Sequence, residues 1–203
     1  MCNPVRWSNA LYIGCRDNLI KYFDFTSVTN NSVITIMTSS KYKYTWGIVY
    51  CRETSQILLL NREKHPWMGR WNGVGGKLDQ DEDQLTCIIR ETWEETGLHL
   101  PQYEPRGVMT WSENGIDLGG MYLFTTIVTK QEVESYPTPK KFCHEGILDW
   151  KNLDWVMHPD NSGVVDNVKV MLTNLFDASE RSLFVTKYQD GRLAGVDYMP
   201  NGH

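Results

Sequence analysis

An α/β fold, helices packed on both faces of a mixed β-sheet, is what this 203-residue sequence predicts. Three observations carry the prediction. β-rich segments stand on both sides of a strongly amphipathic helical stretch that follows Glu82, and strands flanking helices in one chain pack as layers. A second helical pattern, Val164–Phe176, arrives late in the chain. Two hairpin signals, Asn114-Gly115 and Asp190-Gly191, each sit between β-like runs.

The elements follow in order. Residues 1–43 read as an N-terminal extension and residues 44–203 as the main domain. In the extension, Ala10–Phe25 reads as a short helix or an irregular packed segment. Thr26–Ser32 reads as a polar loop, and Val33–Thr38 is rich in β-formers. Chain ends of this kind are expected to close a sheet edge, the alternative being a cover for the site or a dimer contact. Tyr44–Arg52 and Gln56–Arg62 read as strands about the turn Glu53-Thr54-Ser55. His65–Arg70 is a loop with breakers, and four glycines between Gly69 and Gly76 permit close approach of backbone to a ligand. Leu85, Ile88 and Ile89 recur at helical spacing, and Thr96-Gly97 supplies the stop, since glycine takes the left-handed cap without a Cβ penalty. Arg106–Ser112 and Ile116–Thr129 read as strands, Gln131–Lys141 as a polar loop with two prolines, and Gly146–Val156 as an extended segment with a turn. Leu183–Tyr188 and Arg192–Tyr198 complete the closing hairpin.

Composition narrows the class. A net charge of −5 argues against gripping duplex nucleic acid through its phosphates. Five scattered cysteines without CxxC spacing read as reduced thiols, neither a disulfide frame nor a zinc site. No apolar run reaches membrane-spanning length, and no basic-then-apolar leader opens the sequence. The expectation is a soluble cytoplasmic protein, nuclear residence being compatible, that is a monomer or homodimer.

Chemistry concentrates in Gly76–Leu98, GKLDQDEDQLTCIIRETWEETGL. At about 100° per residue, Glu91, Glu94 and Glu95 share one side of the helix, away from the Leu85/Ile88/Ile89 stripe. Three carboxylates in one turn repel by a few tenths of a kcal/mol per pair. A hard divalent cation, magnesium, manganese or calcium, compensates such crowding, because oxygen ligands suit it; a solvated acidic face is the alternative.

The spacing resembles that of the Nudix hydrolases, G-x5-E-x7-R-E-U-x-E-E-x-G-U with U bulky and apolar. Gly76, Glu82, Arg90-Glu91, Glu94-Glu95, Gly97 and Leu98 fall in place, and Thr92 alone departs, in the first U slot. The resemblance implies a Nudix α/β/α sandwich. It implies Mg2+ or Mn2+ on Glu91, Glu94 and Glu95, with a carbonyl ligand from Gly75 or Gly76. Arg90 is expected to orient the glutamates, Glu82 to hold Arg90 or a metal-bound water, and Lys77 either to meet a phosphate or to stand exposed. A further ligand or general base lies outside the box in many members, and Glu145 is preferred here over His144.

The likeness continues into the MutT-type and human MutT-homologue branch that clears 8-oxo-dGTP, through GRWNGVGGKL, EGILDW, WVMHPDN and LFVTKYQDGRLAGVDY. It implies that Asn72 hydrogen-bonds the base and that Asp160 and Asn161 read the purine edge, against a plain role for that pair as helix caps. Trp67, Trp71, Trp111 and Trp155 are candidates for stacking on the base, though most tryptophans serve the core. The expected activity is Mg2+-dependent hydrolysis of a nucleoside triphosphate to monophosphate and pyrophosphate, with a role in nucleotide-pool sanitation. Alternatives are ADP-ribose, dinucleoside polyphosphate, capped RNA or isoprenoid diphosphate as substrate, or a non-catalytic nucleotide sensor.

Overall fold

The computed structural model of the protein describes residues 41–202, together with the backbone of Tyr12–Cys15 and Asn18–Lys21. The chain divides into two compact units, Met1–Met37 and Thr38–His203. In the first, strands β1 (Tyr12–Cys15) and β2 (Asn18–Lys21) pair antiparallel, Tyr12 opposite Lys21 and Cys15 opposite Asn18. The sequence reading of Ala10–Phe25 as helical or irregular is corrected there: Tyr12, Ile13, Leu19 and Ile20 are β-formers on either side of Arg16-Asp17. The readings of Thr26–Ser32 and Val33–Thr38 lie outside the described residues.

The second unit is built on β3 (Thr45–Cys51), β4 (Gln56–Arg62), β5 (Trp71–Asn72), β6 (Glu104–Glu113), β7 (Ile116–Ile127), β8 (Gly146–Asn152), β9 (Leu183–Gln189) and β10 (Arg192–Met199). Its strand order is β10-β9-β6-β7-β3-β4-β5, with β8 also paired to β4. The pairs β3/β7 and β6/β9 are parallel and the rest antiparallel, so the sheet is mixed. Helices α1 (Gln84–Thr96) and α4 (Asp166–Leu175) cover opposite faces.

Burial alternates as that sandwich requires. Ile48, Ile57 and Leu59 join the core under α4 with Val168, Met171, Leu172, Leu175 and Phe184. Val49, Leu58 and Leu60 join the core under α1 with Ile88, Tyr103 and Phe124. A continuous apolar run such as Ile57–Leu60 is the mark of a strand covered on both faces. Each such side chain contributes about 1.5–3 kcal/mol of burial.

Helix α1 starts where Asp83 caps it, accepting from the N–H groups of Leu85 and Thr86, both at 3.0 Å. It ends at Gly97, φ 74°, whose N–H reaches the Trp93 carbonyl. Thr92 carries the departure from the family pattern inward. It is fully buried, and its hydroxyl donates to the Ile88 carbonyl and meets the Tyr103 hydroxyl, both at 2.7 Å. A polar side chain is tolerated in this apolar slot because Tyr103 shares its hydrogen bond. Thr92→Val is therefore expected to lower stability by about 1–3 kcal/mol, the cost of stranding a buried hydroxyl. Thr92→Ser is expected to recover most of it, read by urea unfolding.

Two segments differ from the sequence reading. The loop expected over Gln131–Lys141 opens with a short helix, α2 (Lys130–Ser135), held by a capping box in which Thr129 and Glu132 bond each other's backbone N–H. The extended segment Gly146–Val156 is β8 followed by α3 (Leu153–Met157), whose first turn is capped by Asn152. No helix among the described residues is long and apolar enough to cross a membrane.

Candidate active site

The site grows from a fork in the sheet. Strands β3 and β4 pair at Val49–Cys51 with Gln56–Leu58, after which β4 turns to β5 at Leu60 and Asn61. The loop after β5 runs beside the first half of β3. The Thr45 N–H donates to the Gly76 carbonyl, and Gly47 and Val74 exchange N–H···O bonds. Two glycines are obligatory in this wedge. A Cβ on Gly75, φ +129°, would lie 2.5 Å from the Thr45 carbonyl oxygen, and one on Gly76 would lie 2.4 Å from the Glu91 carboxyl carbon. Such approaches leave no room for a side chain, so backbone and carboxylate come into direct contact.

Behind that loop lies the face of α1 that carries the acids. Arg90 Nε and Nη2 grip the two oxygens of Glu82 at 2.9 and 2.8 Å, and Nη1 donates to Glu91 at 3.0 Å and Glu94 at 3.2 Å. Nη2 also donates to the Lys77 carbonyl at 3.1 Å, which fastens the loop to the helix. The fork geometry of guanidinium makes such bidentate pairing possible. Glu82, whose Oε2 also accepts from the Asp79 N–H, is held below the usual carboxylate range, chiefly by Arg90.

Glu95 differs from its neighbours. Its residue is 5% exposed and its Oε2 accepts from the Gly75 N–H at 2.9 Å. Burial pushes its carboxyl up to about 8, against the pull of that N–H; Glu91 and Glu145 push the same way and Arg62 opposes them. Burial raises Glu91 also. The expectation that all three acids lie away from the apolar stripe is corrected here. Glu95 is buried and Leu85 is 41% exposed, because the loop 73–77 covers the acidic side of the helix.

In front of the loop is a cavity of about 470 Å³, lined among others by Trp46, Trp67, Trp111, Asn72, Gly75 and Gly76. A cavity this size takes a small organic ligand. Asn72 lines it with a fixed amide: Oδ1 accepts from Trp46 Nε1 and the Gly73 N–H, both at 2.9 Å. Trp71, the other residue of β5, packs against the core under α4. It does not line the cavity, and Lys151 Nζ sits 4.3 Å from its ring centroid.

The turn expected to read the base stands apart from this lining. Asn161 spends its amide on its own turn, Nδ2 to the Trp155 carbonyl and Oδ1 to the Gly163 N–H. Asp160 is exposed, and its N–H donates to His158 Nδ1. Neither caps α4, which starts at Val165 without a side-chain cap. Lys77 is exposed, and Glu145 pairs with Lys64 Nζ at 2.6 Å. Trp155 is 42% exposed and outside the cavity.

Sequence reasoning missed Arg62, Tyr188 and Asn167, all in the cavity wall. Asn167 left a signal, a lone amide on the otherwise apolar stripe Val168, Met171, Leu172 and Leu175. Arg62 and Tyr188 end ordinary-looking strand patterns and left none.

The donors around the loop are all oxygen, which suits a hard cation. Among the described residues, no three acidic, histidine or cysteine side chains converge on one point, since Glu91 and Glu94 turn to Arg90 and Glu95 to Gly75. The three glutamates, within two turns of one helix, are the carboxylates that would hold a cation.

A mixed-sheet sandwich whose glycine loop separates a glutamate helix from a ligand-sized cavity defines an α/β domain of the mixed-sheet, two-helix-layer class. The model of the NUDIX domain matches residues 41–168, more than half of the chain, and the chain belongs to the Nudix family. It is 37% identical over 68 residues to a MutT-like protein of Streptomyces ambofaciens, covering 34% of this chain and 42% of that one. It is 33% identical over 55 residues to the dihydroneopterin triphosphate diphosphatase of Haemophilus influenzae, covering 27% and 34%. The matched stretch thus spans less than half of either relative. Among solved structures, the mutator MutT protein of Bacillus halodurans superposes with a TM-score of 0.58 at 25% identity, over 77% of this chain and 97% of that one.

Proposed function

We propose that this protein is a divalent-metal-dependent pyrophosphohydrolase that cuts a nucleoside triphosphate to monophosphate and pyrophosphate, an oxidised purine such as 8-oxo-dGTP being the leading substrate. One observation carries the reading. The glycines that line the ring-sized cavity are the ones that touch Glu91 and Glu95, so a ligand seated there directs its phosphates at the carboxylates.

Glu91, Glu94 and Glu95, with the Gly76 carbonyl, would hold Mg2+ or Mn2+. The metal, when bound, neutralises phosphate charge and acidifies water. The chain's own groups do the positioning on which phosphoryl transfer depends. Arg90 fixes the azimuth of Glu91 and Glu94 against Glu82, and Gly75 fixes Glu95. Glu145, held by Lys64 and close enough to Glu95 to act on its charge, is the candidate proton acceptor for attacking water or a further metal ligand.

One relative supports a triphosphate-bearing heterocycle as the substrate class: the dihydroneopterin triphosphate diphosphatase. The purified protein, given Mg2+ and a panel of nucleoside triphosphates, 8-oxo-dGTP, dihydroneopterin triphosphate, ADP-ribose and dinucleoside polyphosphates, is expected to release pyrophosphate fastest from an oxidised purine triphosphate. Faster turnover of ADP-ribose or a dinucleoside polyphosphate would displace the triphosphate reading. Retention of all four box carboxylates argues against a sensor.

A further inference from the structure

The apolar residues of helix α1 do not all reach the core. Ile88 is fully buried, but Leu85 is 41% exposed and Trp93 56%, with Ile89 between them only partly covered. Leu85, Ile89 and Trp93 stand four residues apart, so they form one ridge along the helix. The ridge continues past the helix end. Gly97, four residues beyond Trp93, lies under the Phe142 ring, which would sit 2.6 Å from a Cβ at that position, and Phe142 is itself 45% exposed. At about 100° per residue, Glu91 lies roughly 160° around the helix from Ile89, so the ridge faces away from the carboxylate that meets loop 73–77. Singly exposed apolar residues are ordinary, whereas a contiguous row rimmed by polar groups marks an interaction surface.

The two ends of the ridge carry opposite charges. At its start Asp81 is exposed, and at its far end Lys140 Nζ lies over the rings of Tyr136 at 4.3 Å and Phe142 at 5.5 Å. Among the described residues, neither Asp81 nor Lys140 belongs to an ion pair. A two-fold axis at Ile89 runs the helix antiparallel to a second copy of itself. Trp93 then meets the partner's Leu85, a bulky side chain against a smaller one, and Lys140 comes to the end where the partner's Asp81 stands. A parallel pairing would instead set like charge beside like charge. The ridge is thus self-complementary in the antiparallel sense, which is what a contact about a two-fold axis requires.

We propose that this outer ridge of α1 is a homodimer contact: Leu85, Ile89, Trp93 and Phe142 of two copies pack about a two-fold axis, and Asp81 pairs with the partner's Lys140 at each end. A fully covered aromatic side chain buries 150–250 Å², so the half-exposed Trp93 and Phe142 together offer roughly 200 Å² per protomer. A ridge of this size falls at the low end of specific interfaces, which places the dissociation constant at about 10–500 µM. Trp93 is the anchor, being the largest side chain in the row and near its middle. None of the four apolar residues lines the cavity, so the contact stands independently of the substrate.

The test is sedimentation velocity of the full chain from about 5 µM to about 1 mM, a range that brackets the expected constant, with thermal midpoints to show that each variant folds. The wild type is expected to pass from monomer to dimer across the series. Trp93→Gln, a good helix former in place of an exposed ring, is expected to weaken association tenfold or more. Asp81→Lys and Lys140→Glu are each expected to weaken it threefold or more, because every change acts twice in a symmetric contact. The double variant Asp81→Lys/Lys140→Glu is expected to return to within about twofold of the wild type, the swapped charges meeting again across the axis. A wild type that stays monomeric over the whole range would overturn the proposal. So would a dimer whose dissociation constant Trp93→Gln leaves unchanged, since the contact would then lie elsewhere on the surface. A double variant no better associated than the single ones would overturn the antiparallel arrangement on which the contact is built.

Discussion

Glu95→Gln is expected to cut turnover by at least about a hundredfold, the scale on which metal sites respond to lost or misoriented ligands, while making the metal-free protein more stable in alkali. The second half follows from linkage. The Glu95 carboxyl titrates near 8 in the fold and near 4.3 in an unfolded chain. Between those values the folded state holds a proton that the unfolded state has released, so stability falls as pH rises through this window. The contribution is full below pH 4.3 and gone above about pH 8. Glutamine keeps an oxygen to accept from the Gly75 N–H and has no proton to lose. In thermal unfolding with chelator present, the wild-type midpoint is expected to decline from pH 6 to pH 9, and the Glu95→Gln midpoint to decline less. A single substitution that stabilises and inactivates marks a site where burial of an acid is kept for function.

The second large effect belongs to Arg90. Its guanidinium is the cation that four acids share: Glu82, Glu91, Glu94 and, at 3.7 Å, Asp79. Arg90→Leu leaves the Glu82 carboxylate, 9% exposed, without its bidentate partner. Removing one member of a buried pair costs about 3–5 kcal/mol; Arg90 itself is 25% exposed, which places the expected loss near the lower end. Arg90→Lys is expected to recover less than half of that loss, since an ammonium cannot span Glu82 and Glu91 together. Urea unfolding reads the stability. Turnover is expected to fall in both variants, because Glu91 and Glu94 lose the group that sets their direction.

The helix and its acids were legible in the sequence because periodicity and a glycine stop agree at one place; the Asp83 cap emerged only in the structure. The sheet was legible for a similar reason: Ile57–Leu60 is too apolar for a surface strand and too short for a helix. Its order was not, since the fork that sends β4 from β3 to β5 depends on pairing across the chain. The capping box at Thr129 and Glu132 was written plainly, but two nearby prolines drew the reading toward a loop.

The cavity wall was harder to read. Trp71 and Asn72 are adjacent in sequence, yet only Asn72 lines the cavity, while Trp71 packs against the core beneath Lys151. Asp160 and Asn161 belong to a turn that Lys169 clamps through the His158, Pro159 and Asn161 carbonyls, and their polar atoms serve that turn. Asn167 reaches the cavity only because α4 packs its apolar face there. Such placements are decided by tertiary packing, which local pattern does not encode.

Measurement of pyrophosphate and orthophosphate released from a panel of nucleoside triphosphates, with Mg2+ and with chelator, bears most directly on the central claim that the glutamate helix is a hydrolytic centre. The account predicts pyrophosphate with little orthophosphate, turnover lost on chelation, and turnover lost in Glu94→Gln with the fold retained. Tight nucleotide binding with no release from any member of the panel, with or without metal, would contradict it and leave a domain that senses nucleotides without cutting them.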